Sequence, residues 1–215
     1  ERKKTANHEA GHDLVSVLLH GTDPVHKVTI VPSGRALGLM MPLPERERYG
    51  MEKSELESRI AIALAGRAAE WIIYKNLTTG ASDDINKATQ AARAMVCRYG
   101  MSDAIGPVTV GEQDQEVCIG REWVSHREHS EETARLVDAE VKRIIDGAMK
   151  TADTLLRDNI EILHKLTAAL IEHETLPGAD IGKIRNGEEL PPPPVKSEKE
   201  LDFSGEKKPV TPQDI

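Results

Sequence analysis

Aromatic side chains are scarce in this chain: they make up 3% of its 215 residues, and the one Phe, Phe203, lies close to the end. A core without Phe has to be filled by Leu, Ile, Val and Ala, which suits packed helices better than a large sheet. Cysteine is nearly absent as well. Cys97 and Cys118 have no metal-type spacing and sit in apolar patterns, so both read as packed thiols in a reducing compartment. No stretch of eighteen apolar residues occurs, which predicts no membrane-spanning helix. No secretory signal pattern opens the sequence. It begins without Met inside a charged, helix-compatible run and so reads as a soluble piece of a longer polypeptide. No G-x-x-x-x-G-K-[ST] loop is present, which predicts no ATP site within these residues. The formal charge of −8 and the lack of a basic stripe argue against nucleic acid as a partner.

What is present is mostly helical periodicity, and the expected fold is mainly α with a small β-sheet. Residues 3–20 read as a helix closed by Gly21. KVTIVP (27–32) and ALGLMM (36–41) read as a hairpin around Ser33-Gly34. After a Pro- and charge-rich loop (42–52), Ser54 with Glu57 forms a capping-box pattern for a helix to Tyr74. Gly66 inside that helix predicts close approach of another backbone. TTGAS (78–82) is a turn, with Ser82 or Asp83 as N-cap of a helix that reaches Tyr99 and ends at Gly100. Val108–Val110 and Val117–Gly120 read as short strands. Ser130 opens a long helix to Asp158, Asn159 caps another to His173, and a short helix occupies 178–186. The domain expected from this pattern is 1–190, followed by a Pro-rich, charged tail at 191–215.

His8-Glu9-Ala10-Gly11-His12 carries the chemistry. Residues four apart share one face of a helix, so two imidazoles can grip one zinc ion while Glu9 stands beside them to handle a proton. The competing reading, two surface histidines around a glutamate, is opposed by the stripe His8, His12, Val15 and Leu19, which continues an apolar face. Catalytic zinc needs a third protein ligand. His20, His26, His126, His129, His164 and His173 have no spacing that points back to the motif. Two carboxylates are serious candidates: Glu70, on the helix past Gly66, and Asp84, in the first turn of its helix where the dipole favours the ionised form. Chemistry alone leaves both open.

The ordered blocks DPVHKVTIVPSGRALG (23–38), LPERERY (43–49), AGRAAE (65–70), TTGASDDI (78–85), YGMSDAIGP (99–107), IGREW (119–123) and SEETARLVDAEV (130–141) resemble the protease domain of FtsH-type AAA metalloproteases. The resemblance runs from about residue 3 to 190. It implies an HExxH zinc-protease helical domain with His8, His12 and Asp84 as ligands and Glu70 orienting a ligand histidine. It further implies Glu9 as the catalytic acid/base and unfolded or tagged polypeptides as substrates. Held along a sheet edge through main-chain bonds, such substrates would be read with little regard to side chain. An upstream AAA ATPase module that binds ATP, membrane anchoring at the cytoplasmic face of the bacterial inner membrane and a homo-hexameric ring belong to the same implication.

Four positions depart from the family pattern: Asn7, Asp13, Ala65 and Trp71. Asp13 lies four residues after Glu9, a spacing that predicts like-charge repulsion and with it either a raised proton affinity for Glu9 or disturbed packing behind the site. The alternative function is therefore a zinc-bound hexameric scaffold whose chemistry is impaired by Asp13 and Asn7.

Overall fold

Every residue of the first helix from Ala6 to Ser16 is buried, polar ones included. A helix covered on all sides must lie in the middle of the molecule. The structure, a computed structural model, describes residues 1–19, 25–32, 39–42, 50–110 and 130–192. Their elements run α1 (Arg2–Leu18), β1 (Val25–Thr29), β2 (Leu39–Pro42), α2 (Lys53–Tyr74), α3 (Ser82–Cys97), α4 (Glu131–Asp158), α5 (Ile160–His173), β3 (Thr175–Pro177) and α6 (Gly178–Asn186). The fold is mainly α with a small sheet. No helix among the described residues is long and apolar enough to cross a membrane.

Helix α1 packs on α2 and α5. Its approach to α2 is close because Gly11 faces small residues: a Cβ at position 11 would lie 2.7 Å from the Ala65 carbonyl oxygen and 2.7 Å from the Ala69 Cβ. Two apolar clusters flank α2. One joins Leu14 and Val15 of α1 to Leu163, Leu166 and Leu170 of α5. The other joins Leu56, Ile60 and Leu64 of α2 to Met95 of α3 and Val141 and Ile144 of α4. Fully burying a side chain such as Leu14 stabilises the fold by about 2 kcal/mol. Among the described residues both clusters are thus filled without any aromatic side chain, by aliphatic residues and Met95.

Several local expectations are corrected. The capping box at α2 is Glu52 with Glu55, not Ser54 with Glu57: the Glu52 amide donates to Glu55 Oε2 at 2.9 Å. Carboxylates at both positions suit the positive end of the helix dipole. Ser82 and Asp83 do not cap α3. Instead Thr78 caps a 3-10 turn, Thr79–Ala81, that runs straight into the helix. Asn159 stands between α4 and α5, but its side chain donates back to the Leu155 carbonyl instead of capping α5. Ser130 does cap α4, accepting from the Thr133 amide at 3.2 Å. Val108–Val110 form no strand, because the Val110 amide donates to the Cys97 carbonyl at the end of α3. The Ser33-Gly34 turn, residues 117–120, Cys118 and the tail beyond Pro192 lie outside the described residues.

The sheet has the order β2-β1-β3 and is antiparallel throughout. Strand β3 was not expected: three residues ending in Pro offer no alternation for a sequence pattern to catch. It pairs Thr29 with Thr175 and Val28 with Leu176. Ser102 is tied to α4: its hydroxyl donates to Glu140 Oε2 at 2.6 Å, and Arg143 forks onto the same carboxylate.

Gly11→Ala is expected to lower the unfolding free energy by about 1–3 kcal/mol, since the added methyl meets backbone that cannot swing away. Chemical denaturation would show this, and an unchanged midpoint would contradict the close contact.

Candidate metal centre

Helical spacing puts the His8 and His12 rings on one face of α1, toward α2, with ring centroids 4.7 Å apart. Each ring is oriented by its Nδ1. His12 Nδ1 lies 2.7 Å from the Ile62 carbonyl oxygen. A carbonyl only accepts, so this nitrogen carries a hydrogen, and in the neutral ring Nε2 keeps its lone pair. His8 Nδ1 donates in the same way to Glu70 Oε1 at 2.9 Å. Room for both rings comes from Gly66, where a Cβ would sit 2.5 Å from His12 Nε2 and 2.6 Å from His8 Nε2. The expected close approach at Gly66 is therefore real but differs in kind, being to imidazoles rather than to backbone.

The 3-10 turn delivers Asp84 in the first turn of α3, where the helix dipole favours a carboxylate. Its Oδ2 lies 3.2 Å from His8 Nε2 and 3.4 Å from His12 Nε2, and the two Nε2 atoms are 3.0 Å apart. Three acceptor atoms thus converge on one point. Only positive charge relieves such an arrangement. A proton satisfies one contact, whereas a cation satisfies all three. Ligands about 2.0–2.1 Å from a tetrahedral zinc ion stand about 3.3 Å from each other, so the observed edges fit that ion. The donor set, two neutral imidazoles and a carboxylate, also suits it.

The electrostatics follow from this crowding. Burial pushes the Asp84 carboxyl up, but its contacts with His12 and His8 prevail and hold it well below the usual carboxylate range. Burial alone would lower His8, yet Asp84, Glu9 and Glu70 together raise it. Glu9 is buried beside the pair. Desolvation pushes it up, His12 and His8 draw it down, and Asp84 pushes it up again.

Glu70 does not join the converging atoms. It sits behind His8, on the Nδ1 side, and accepts from the Thr78 amide at 2.8 Å and the Thr78 hydroxyl at 2.9 Å. The Ile62 carbonyl and Thr78 are contacts that sequence reasoning missed. A main-chain carbonyl has no sequence signature. Thr78 could have been noticed only as a hydroxyl in the turn just before Asp84. Of the remaining histidines, His26 and His164 are exposed, His173 closes α5, and His20, His126 and His129 lie outside the described residues.

Asp13 has no exposed surface, and neither of its oxygens has a hydrogen-bond partner among the described residues; Asn7 Nδ2 is in the same position. Burial, and then the Glu9 charge, push the Asp13 carboxyl up to about 8. The expected like-charge interaction between Asp13 and Glu9 is present, and both carboxyls stand above their ordinary range, chiefly through burial. Trp71 is half-exposed, and Ala65 belongs to the close face against Gly11.

A helical histidine pair and a carboxylate from a second helix thus lie close enough together to hold one metal ion. The sequence profile of peptidase family M41 matches residues 1–184, and the chain belongs to that family. It is 53% identical over 188 residues to an ATP-dependent zinc metalloprotease FtsH of Magnetococcus marinus, covering 87% of this chain and 28% of that protein. Relatives of the same description from Acidobacterium capsulatum (48% identity; 89% and 30% covered) and Myxococcus xanthus (44%; 92% and 32%) are also similar. The chain spans about three-tenths of the length of these curated relatives.

Gly66→Ala is expected to abolish metal binding in a still helical protein, because the methyl occupies the space of both rings; full metal uptake measured by competition with a chromophoric chelator would overturn this. Asp13 predicts a pH signature in the metal-free chain. Its folded value, about 8, lies above its ordinary 3.8. Its stabilising share is complete below about pH 4 and is lost as pH rises toward 8. Asp13→Ala should therefore be more stable than the parent, with an advantage that widens by about 2 kcal/mol between pH 6 and 8. Parallel stability curves would refute it.

Proposed function

We propose that this chain is the zinc endopeptidase domain of a membrane-anchored AAA protease that degrades unfolded or tagged polypeptides. The observation that carries the reading is the convergence of His8 Nε2, His12 Nε2 and Asp84 Oδ2 within 3.0–3.4 Å of one another. Its context is the M41 family and the zinc metalloproteases to which the chain is similar. His8, His12 and Asp84 hold Zn²⁺, and Glu70 orients His8 through Nδ1. Zinc, when bound, supplies Lewis acidity to the scissile carbonyl and to the attacking water.

The remaining work belongs to side chains. Glu9 accepts the proton of the attacking water on its carboxylate and returns it to the leaving amine. Burial and the flanking imidazoles oppose each other in setting its proton affinity. The edge strands of the sheet, β2 and β3, offer main-chain groups that hold an extended polypeptide without reading its side chains. ATP is bound by an upstream AAA module, the assembly is a homo-hexamer, and the whole protein sits at the cytoplasmic face of the bacterial inner membrane. Residues 1–190 form the peptidase domain and 191–215 its charged tail.

The buried, unpartnered Asp13 favours a second reading, a zinc-bound scaffold with impaired chemistry. In the full-length protein, Glu9→Gln is expected to retain zinc and lose casein hydrolysis by a factor of about 10²–10⁴. Asp84→Ala should lose both metal and activity, and Glu70→Gln should weaken both by about 10–100-fold. Full hydrolysis by Glu9→Gln would end the peptidase mechanism. Zinc without hydrolysis in the parent, with activity restored by Asp13→Ala, would select the scaffold.

A further inference from the structure

The Thr78 hydroxyl occupies a place that neither the metal motif nor the family comparison assigns. Its hydrogen is donated to Glu70 Oε1 at 2.9 Å, the same oxygen that accepts from His8 Nδ1. Its lone pair accepts from the Gly80 amide at 3.3 Å and so caps the 3-10 turn Thr79–Ala81. That turn runs directly into α3, whose third residue is Asp84. One oxygen atom therefore touches both arms of the centre. Through Glu70 it fixes the plane of the His8 ring, and through the turn it fixes where the Asp84 helix begins.

The chemistry restricts what can stand here. Position 78 has to donate to a carboxylate and accept from an amide at once, from a single short side chain. A hydroxyl does this, and an isosteric methyl does neither. The Thr78 amide bonds Glu70 Oε2 at 2.8 Å and would persist in any substitution but Pro. The hydroxyl is thus separable from the general anchoring of Glu70. Glu70 itself is only 3% exposed, so water cannot readily replace a lost partner.

We propose that Thr78 is a positioning residue that couples the orientation of His8 to the placement of Asp84 and so sets the metal affinity of the centre. The proposal rests on the zinc reading above. It is tested in the full-length protein by zinc affinity, measured by chelator competition, and by the d–d absorption of the cobalt(II)-substituted form. Thr78→Val is expected to weaken zinc binding by about 10–100-fold and to alter the cobalt spectrum. Thr78→Ser, which keeps the hydroxyl, should restore both. In a double-mutant cycle the losses from Thr78→Val and Glu70→Gln should fall short of additivity, because the first acts partly through the second. Should Val at this position prevent folding by circular dichroism, Thr78→Ala takes its place in the cycle. Parental affinity and spectrum in Thr78→Val, additive losses in the cycle, or failure of Thr78→Ser to rescue would each overturn the proposal. A parent protein that binds no zinc would instead overturn the function on which it rests.

Discussion

The convergence of two imidazole lone pairs and one carboxylate oxygen on a single point is the constraint around which this molecule is arranged. Left to themselves, three acceptors 3.0–3.4 Å apart repel. Each is held in place from behind. Ile62 and Glu70 pin the Nδ1 atoms of His12 and His8, and the 3-10 turn with the start of α3 pins Asp84. The tightness of the α1–α2 contact follows from the same need. Gly11 lets the helices approach, and Gly66 opens the space that the rings then fill. Small residues in these helices are part of the site as much as of the core.

Much of this was legible in advance because it depends on local periodicity. The histidine spacing, the long amphipathic α4 with its Ser130 cap, and the helical character of an aliphatic core are properties of short windows. The carboxylate that meets the two imidazoles was not legible in that way. Glu70 and Asp84 are both helical acids at plausible distances along the chain, and elementary chemistry treats them alike. What separates them is which imidazole nitrogen each one faces, a tertiary fact. The resemblance to a family, rather than the residues themselves, pointed to Asp84.

The misread details share a cause. Ser54, and Ser82 or Asp83, are the side chains that look like caps, whereas the helix starts are set by Glu52 and by a preceding 3-10 turn. Val108–Val110 look like a strand but find their partner at the end of α3. Strand β3 exists only because β1 offers it an edge. Asp13 shows the same limit for charge. Spacing gives Glu9 as its neighbour, but the burial that pushes both carboxyls up is a matter of depth that spacing does not carry.

The pairing of Thr29 with Thr175 has a consequence for how the chain is made. A growing polypeptide that has passed residue 84 already contains His8, His12 and Asp84. At that stage β1 still lacks one of its two neighbours, and the apolar cluster that α1 shares with α5 is uncovered. Bare strand edges and open apolar faces in a half-synthesised chain invite aggregation. The stretch from α5 through α6 is therefore the closing piece, and until it leaves the ribosome that strand edge and that apolar face stay open.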